Sequence, residues 1–398
     1  MALTTTLQVA RDFGIPNLLS ERLRKQYIQR AWRNYADAHP GYKPTEREIQ
    51  MTLRKKARTS QAMMFESYAI YFSNIGYANL GLKISDKDAD KIATSMRIIA
   101  EAASHLDDSM DEGAVIKFVD KEDVRLSTFV DLLDEPSKLG PYVIGAPKFY
   151  DKRSKIHIFP EDAWRASIAF TDFFETELPK IPGGEEAIAI YREGRKKINI
   201  PEAESTLVEI WMKKKKYEKV RSYYSNGDYV KNATKLLDRL APMGGEAAKI
   251  NNILSWKPRR GLDRDEVGRE QAEIFGCNTG LMQWIVDDVK NQKDDQKEGV
   301  ANLLHVLVLE KYSVVNEQTV KSFLENYPTI TTKIALPYIN RAVKSLRTLK
   351  SWGYPIQFLD LGLSYACGKS LKAQRETGRD VGVRLDEEWY QVFRNRWG

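Results

Sequence analysis

Two kinds of side chain in this sequence are spaced for chemistry. The first are aspartates. "HLDDSMDEG" sets Asp107, Asp108 and Asp111 in a DDxxD pattern. On a helix Asp107 and Asp111, four residues apart, point the same way and are placed to hold Mg²⁺ ions that bridge a diphosphate. Further on, "DDVKNQKDD" offers Asp287 or Asp288 with Asn291 and Asp295, in the polar surroundings of a solvated helix end or loop.

The second kind are cations. "WMKKKKYEKVRSYY" carries Lys213 to Lys216. Four consecutive lysines fan round a helix, so Lys213, Lys216 and Lys219 or Arg221 are the subset able to share a side and follow a phosphate backbone. Tyr217, Tyr223 and Tyr224 stand beside them, able to stack on bases, and the alternative is a solubilising helix end with its tyrosines packed inward. "KPRRG" adds Lys257, Arg259 and Arg260 in a turn. "INRAVKSLRTLKSWGY" puts Arg341, Lys344, Arg347 and Lys350 three apart on a helix whose other face is apolar. Either of these also reads as a solvated face or as partners for nearby acids.

Composition narrows the choice. The 398 residues carry a net charge of +7, distributed as basic blocks (1–60, 191–270, 331–398) separated by acidic ones. Converging basic blocks would make one polyanion-binding surface. Two cysteines and four scattered histidines show no disulfide framework and no His/Cys zinc spacing, which implies a reducing compartment. No signal-peptide pattern and no membrane-length apolar run is present. P-loop, GxGxxG, GxSxG and HExxH patterns are absent, and Cys367 has no identifiable histidine partner.

The elements that must position these groups are helical. Apolar residues recur three or four apart over 20–38, 45–72, 86–106, 161–178, 185–197, 204–224, 228–240 and 300–311. Thr45 with Glu48 predicts a capping box, Ser85 with Asp88 another start, and "PEDAW" an acidic first turn. Only "YVIG" and "KIHIF" look like strands, flanking a hairpin around "YDKRSK". Turn residues crowd between 242 and 261. The expected architecture is all-α: two helical lobes with a basic RNA-binding groove between them. The expected layout is an N-terminal exchange arm 1–19, lobes 20–250 and 251–380, and a C-terminal arm 381–398.

Two families enter by resemblance. The pair of acidic motifs is loosely similar to the metal motifs of class I terpenoid synthases. That family's second motif prefers Ser or Thr where this chain has Asn291, and Glu where it has Asp295. The stretch "SWGYPIQFLDLGLSYACGKSLKAQRETGRD" resembles nucleoproteins of non-segmented negative-strand RNA viruses: Tyr354 and Pro355, Leu361 and Gly362, the small residues Ser364, Ala366 and Gly368, then an arginine-bearing loop with Arg375 and Arg379. It implies a non-enzymatic protein that encapsidates single-stranded RNA, polymerises, meets a viral phosphoprotein and polymerase, and resides in the virion nucleocapsid and host cytoplasm. No cofactor is expected. The expected RNA contacts are Lys213, Lys216, Lys219, Arg221, Tyr224, Lys257, Arg259, Arg260, Arg341, Lys344, Arg347, Lys369, Lys372, Arg375 and Arg379. The alternatives are a Mg²⁺-dependent terpenoid-synthase-like enzyme using Asp107, Asp108 and Asp111, and a filamentous coat protein of a positive-strand virus.

Overall fold

The computed structural model describes residues 24–55, 86–119, 124–152, 154–180, 184–224, 266–299, 302–352 and 356–397. The chain is predominantly helical, so the all-α expectation holds. Two compact units organise the described residues. One draws on Met1–Asp120 and Asp131–Glu193, the other on Lys121–Val130, Gly194–Ile250 and Glu266–Gly398. The expected arm 1–19, the helix 228–240 and the turn-rich boundary at 242–261 lie outside the described residues.

In the first unit α1 (24–38) presents Tyr27, Ile28, Ala31, Trp32 and Tyr35 on one buried face. The chain turns at Gly41, whose φ of 90° suits glycine. It then enters α2 (Glu46–Arg54) through the predicted capping box: the Thr45 side chain accepts from the Glu48 N–H, and the Glu48 carboxylate accepts from the Thr45 N–H. Glu48 does more than cap. It is fully buried and also accepts from the Tyr42 hydroxyl (2.7 Å) and Arg165 (3.0 Å). Burial pushes its carboxyl up, but the bonds from Thr45, Tyr42 and Arg165 outweigh that and hold it below the usual range.

The centre of this unit is α3 (Asp86–Ser109) packed against α7 (Pro160–Glu177). Between them in sequence come a π turn (Met110–Ala114), α4 (Val115–Val119), α5 (Leu126–Asp134) and α6 (Gly140–Val143). "YVIG" therefore opens inside a short helix rather than a strand. The hairpin pairs β1 (Phe149–Asp151) with β2 (Ile156–Ile158), Phe149 opposite Ile158. The acidic start of α7 is present, and Asp162 in it is buried against Arg47 through two 2.7 Å bonds.

One long helix, α8 (Gly184–Lys213), replaces the two expected over 185–197 and 204–224, and it continues through Pro201. The chain passes from the first unit to the second within it, at Glu193 and Gly194. After Lys213 a turn intervenes, with Lys215 at φ 54°, before α9 (Tyr217–Tyr224).

The second unit is built on α10 (Glu266–Glu298), which packs against α13 (Ile330–Ser351) and α14 (Gln357–Val381). Phe275, Leu281, Met282, Ile285 and Val289 of α10 belong to its buried core, as do Ile339, Leu346 and Leu363. The Thr377 hydroxyl donates to the Val289 carbonyl (2.9 Å), tying α14 to α10. Shorter helices α11 (Leu303–Tyr312), α12 (Glu317–Asn326) and α15 (Glu388–Arg394) complete it. α15 docks on α13 of its own unit, with Trp389 buried and its indole N–H on Gln374 (2.7 Å).

Candidate functional site

The DDxxD segment ends α3 and enters the π turn. Ser109 is buried and donates its hydroxyl to the His105 carbonyl (2.6 Å), drawing that acceptor toward a side chain and loosening the ladder locally. Gly113, in the π turn, fits where larger residues do not: a Cβ there would lie 2.9 Å from Pro160 Cβ and from Val143 Cγ1. The extra residue per π turn lets the chain keep this close approach to α6 and the start of α7.

The three aspartates are not equivalent. Asp108 lies about 100° round the helix from Asp107. Its Oδ2 accepts directly from Lys55, the residue that ends α2. Lys55 is 6 % exposed and also donates to the Ser104 carbonyl (3.1 Å), with His105 Nδ1 at 3.4 Å. Arg24 continues the cluster. Its guanidinium pairs with the buried Glu101 and donates to the Thr52 (2.9 Å) and Lys55 (3.3 Å) carbonyls, which caps α2. Burial pushes the Asp108 carboxyl up to about 6; Lys55 opposes the rise, and Asp107 and Asp151 add to it. Burial, with Lys55 and Arg24 nearby, drives His105 well below its ordinary range, so its ring is neutral at pH 7.

Asp107 and Asp111 are half-buried. Four residues span about one turn of the chain where α3 passes into the π turn, so the two are stacked about one turn apart while Asp108 lies about 100° round from Asp107. Among the described residues no three His, Cys, Asp or Glu side chains converge as a metal cage. A Mg²⁺–diphosphate site needs none, because Mg²⁺ keeps waters and takes one or two carboxylates plus phosphate oxygens. Two hard carboxylates on one helix side fit that mode of binding.

The second acidic motif is used otherwise. In α10 the Asp288 Oδ2 accepts from the Leu303 N–H (2.8 Å), and Asn302 Nδ2 donates to the Asp288 carbonyl and to Asp295 Oδ2 (2.7 Å each). These carboxylates tie the start of α11 to α10. Asn291 is half-buried, and the Asp287 side chain lies outside the described residues.

The predicted phosphate contacts are dispersed. Lys213 pairs with Glu209 (2.6 Å), and Lys214 to Lys216 form the turn before α9, so the four lysines do not share a helix. Lys219 is exposed, and Arg221 donates to the Ser313 hydroxyl (3.2 Å). Tyr223 faces inward, packed on Trp211 with its hydroxyl on Glu204 (2.9 Å). Lys257, Arg259 and Arg260 lie outside the described residues, as do Tyr354, Pro355 and the Tyr224 side chain. Arg341, Lys344 and Arg347 stand exposed along α13, as the three-residue spacing requires. Lys369, Lys372, Arg375 and Arg379 lie on α14 rather than in a loop. Arg375 is held by Glu387 through two 2.6 Å bonds, and Lys372 by Glu376 (3.7 Å). Gly368 has open space where a Cβ would stand, so no close backbone approach explains it among the described residues. The Arg24–Glu101–Lys55 cluster escaped sequence reading; its signal, ionic residues on apolar helix faces, is visible only once those faces are assigned.

No family model matches the chain, and no curated protein matches it. Similar solved structures include a geranylgeranyl pyrophosphate synthetase from Pyrococcus horikoshii, at 11 % identity and TM-score 0.43, covering 97 % of this chain and 96 % of that one. Another is a geranylgeranyl pyrophosphate synthase from Corynebacterium glutamicum complexed with isoprenyl diphosphate and magnesium, at 14 % identity and TM-score 0.44, covering 96 % of each. These neighbours correct the nucleoprotein expectation: they are metabolic enzymes and not RNA-binding viral proteins. The non-enzymatic reading, the RNA, phosphoprotein and polymerase partners, the RNA-driven polymerisation and the virion location are set aside with it. At these identities and scores the likeness transfers no activity, and the functional reading rests on the site. Among the described residues no helix is long and apolar enough to cross a membrane.

Proposed function

We propose that this chain is a Mg²⁺-dependent enzyme acting on an organic diphosphate, of the class I terpenoid-synthase type, with Asp107 and Asp111 as its metal-holding carboxylates. The observation that carries the reading is the spacing of the half-buried Asp107 and Asp111 within DDxxD. Asp107 lies in the last turn of α3 and Asp111 one turn on in the π turn, both half-buried, and Asp108 between them is tied to the buried Lys55. Bound Mg²⁺ would neutralise diphosphate charge and so make it a better leaving group. The chain's own contribution is positional. Lys55 fixes the rotation of α3 through Asp108 and the Ser104 carbonyl, and Arg24 fixes the end of α2 that carries Lys55. Neutral His105, buried beneath the motif, adds no competing positive charge.

The test is thermal stability and pyrophosphate release with Mg²⁺ and geranyl diphosphate. A ligand at about 100 times its Kd stabilises by about 2.7 kcal/mol, a shift of several degrees in Tm at most. Asp107→Asn and Asp111→Asn should abolish the Mg²⁺-dependent shift and turnover while keeping the fold. Absence of any saturable shift in the wild type, or a full shift in Asp107→Asn, would overturn the assignment.

A further inference from the structure

The second unit carries an open cleft of about 480 Å³ where the end of α13 meets the segment after α15, lined by Arg347, Lys350, Ser351, Arg396 and Trp397. We infer that this cleft binds an organic phosphate, its anionic group held by Arg347 and Lys350 and its carbon skeleton lying against Trp397. The inference goes beyond the aspartate site and does not depend on it.

Charge is the first ground. Three cations line the cleft, and the acid that answers them is Asp360, already engaged by Arg396 through bonds of 2.6 and 3.1 Å. Arg347 and Lys350 pair with no carboxylate among the described residues: Arg347 donates Nε to the Arg396 carbonyl (2.7 Å), and Lys350 sits 4.3 Å from the centre of the Trp397 ring. A cation stacked on an indole, and a guanidinium that spends Nε on the Arg396 carbonyl and one Nη2 N–H on the Asn395 carbonyl (3.5 Å), keep donors for an incoming anion, because a guanidinium carries five N–H groups.

The second ground is that several nearby backbone acceptors are occupied. A helix C-terminus presents unpaired carbonyls that repel anions. Here the Trp352 N–H covers the Thr348 and Leu349 carbonyls (3.2 Å each), and Arg347 covers that of Arg396. Three cationic side chains thus face the cleft beside carbonyls that are already engaged. The third ground is size and lining. The volume falls in the range of small-molecule sites, far more than one phosphate fills, and Trp397 is 40 % exposed beside the cations. An exposed indole beside Arg347 and Lys350, which meet no carboxylate among the described residues, suits a ligand with a planar or apolar part joined to its phosphate.

The experiment is isothermal titration of the full chain with phenyl phosphate, inorganic phosphate and phenol, in EDTA so that no metal-dependent diphosphate binding contributes. Phenyl phosphate should bind saturably and more tightly than either of its halves. The double variant Arg347→Gln/Lys350→Gln should weaken it at least 10-fold and flatten its salt dependence. Trp397→Ala should bring phenyl phosphate down to the affinity of inorganic phosphate, and Asp107→Asn should change nothing. These side chains are exposed, so unchanged melting checks that the variants fold. Equal binding of phenyl phosphate by wild type and double variant, or none at millimolar concentration, refutes the proposal.

Discussion

Replacing Lys55 with Met tests whether a buried ion pair sets the DDxxD helix. The side chain is 6 % exposed and Asp108 about one-fifth exposed, so the variant keeps most of the packing volume and removes the charge that faces Asp108. Removing one partner of a buried pair costs about 3–5 kcal/mol, because the other charge stays desolvated. The pH dependence gives a second handle. The Asp108 carboxyl already titrates near 6 in the folded protein, above the 3.8 of an unperturbed aspartate. A raised folded value means that its contribution is fully present below about pH 3.8 and is lost as pH rises through 6. That shift of about two units corresponds to about 3 kcal/mol. Without Lys55 the value rises further, so the variant should lose most at pH 7.5 and regain part of the loss at pH 5.5, where Asp108 is protonated. Denaturant unfolding at the two pH values, followed by circular dichroism, reads both effects. The double variant Lys55→Met/Asp108→Leu should return to within about 1 kcal/mol of the wild type, since an apolar pair of similar volume replaces an ionic one at little net cost. A loss under about 1 kcal/mol at pH 7.5, or a double variant no better than Lys55→Met alone, would refute the view that this pair positions the helix.

Two further expectations test the packing. Gly113→Ala places a Cβ 2.9 Å from Pro160 and Val143, and should cost about 1–3 kcal/mol by overpacking; a thermal melt unchanged from the wild type would contradict the account of the π turn. Cys367 is buried and its thiol is pushed up to about 12 by burial, so in a Cys277→Ser background it should resist a disulfide reagent at pH 8 until guanidinium unfolds the chain.

The sequence by itself determined the helical class and several local devices. Apolar spacing exposes amphipathic helices because 3.6-residue periodicity is a local property, and the Thr45–Glu48 box is read from four adjacent residues. The DDxxD pattern, too, was visible as chemistry before any fold. What the sequence left open was which ionic groups face inward. Asp108 and Asp107 are neighbours of one type, yet Lys55, 53 residues away, withdraws Asp108 into a pair, and only the packing of α2 beside α3 decides that. The same holds for the basic residues. The charge of Arg375 is answered by Glu387, while Arg347 and Lys350 find backbone and indole instead of acid. Continuity of α8 through Pro201 is likewise a tertiary outcome, since proline's local penalty favours a break. Charge along a chain counts ions, whereas their function depends on desolvation and on the partner brought alongside, and both are set when helices pack.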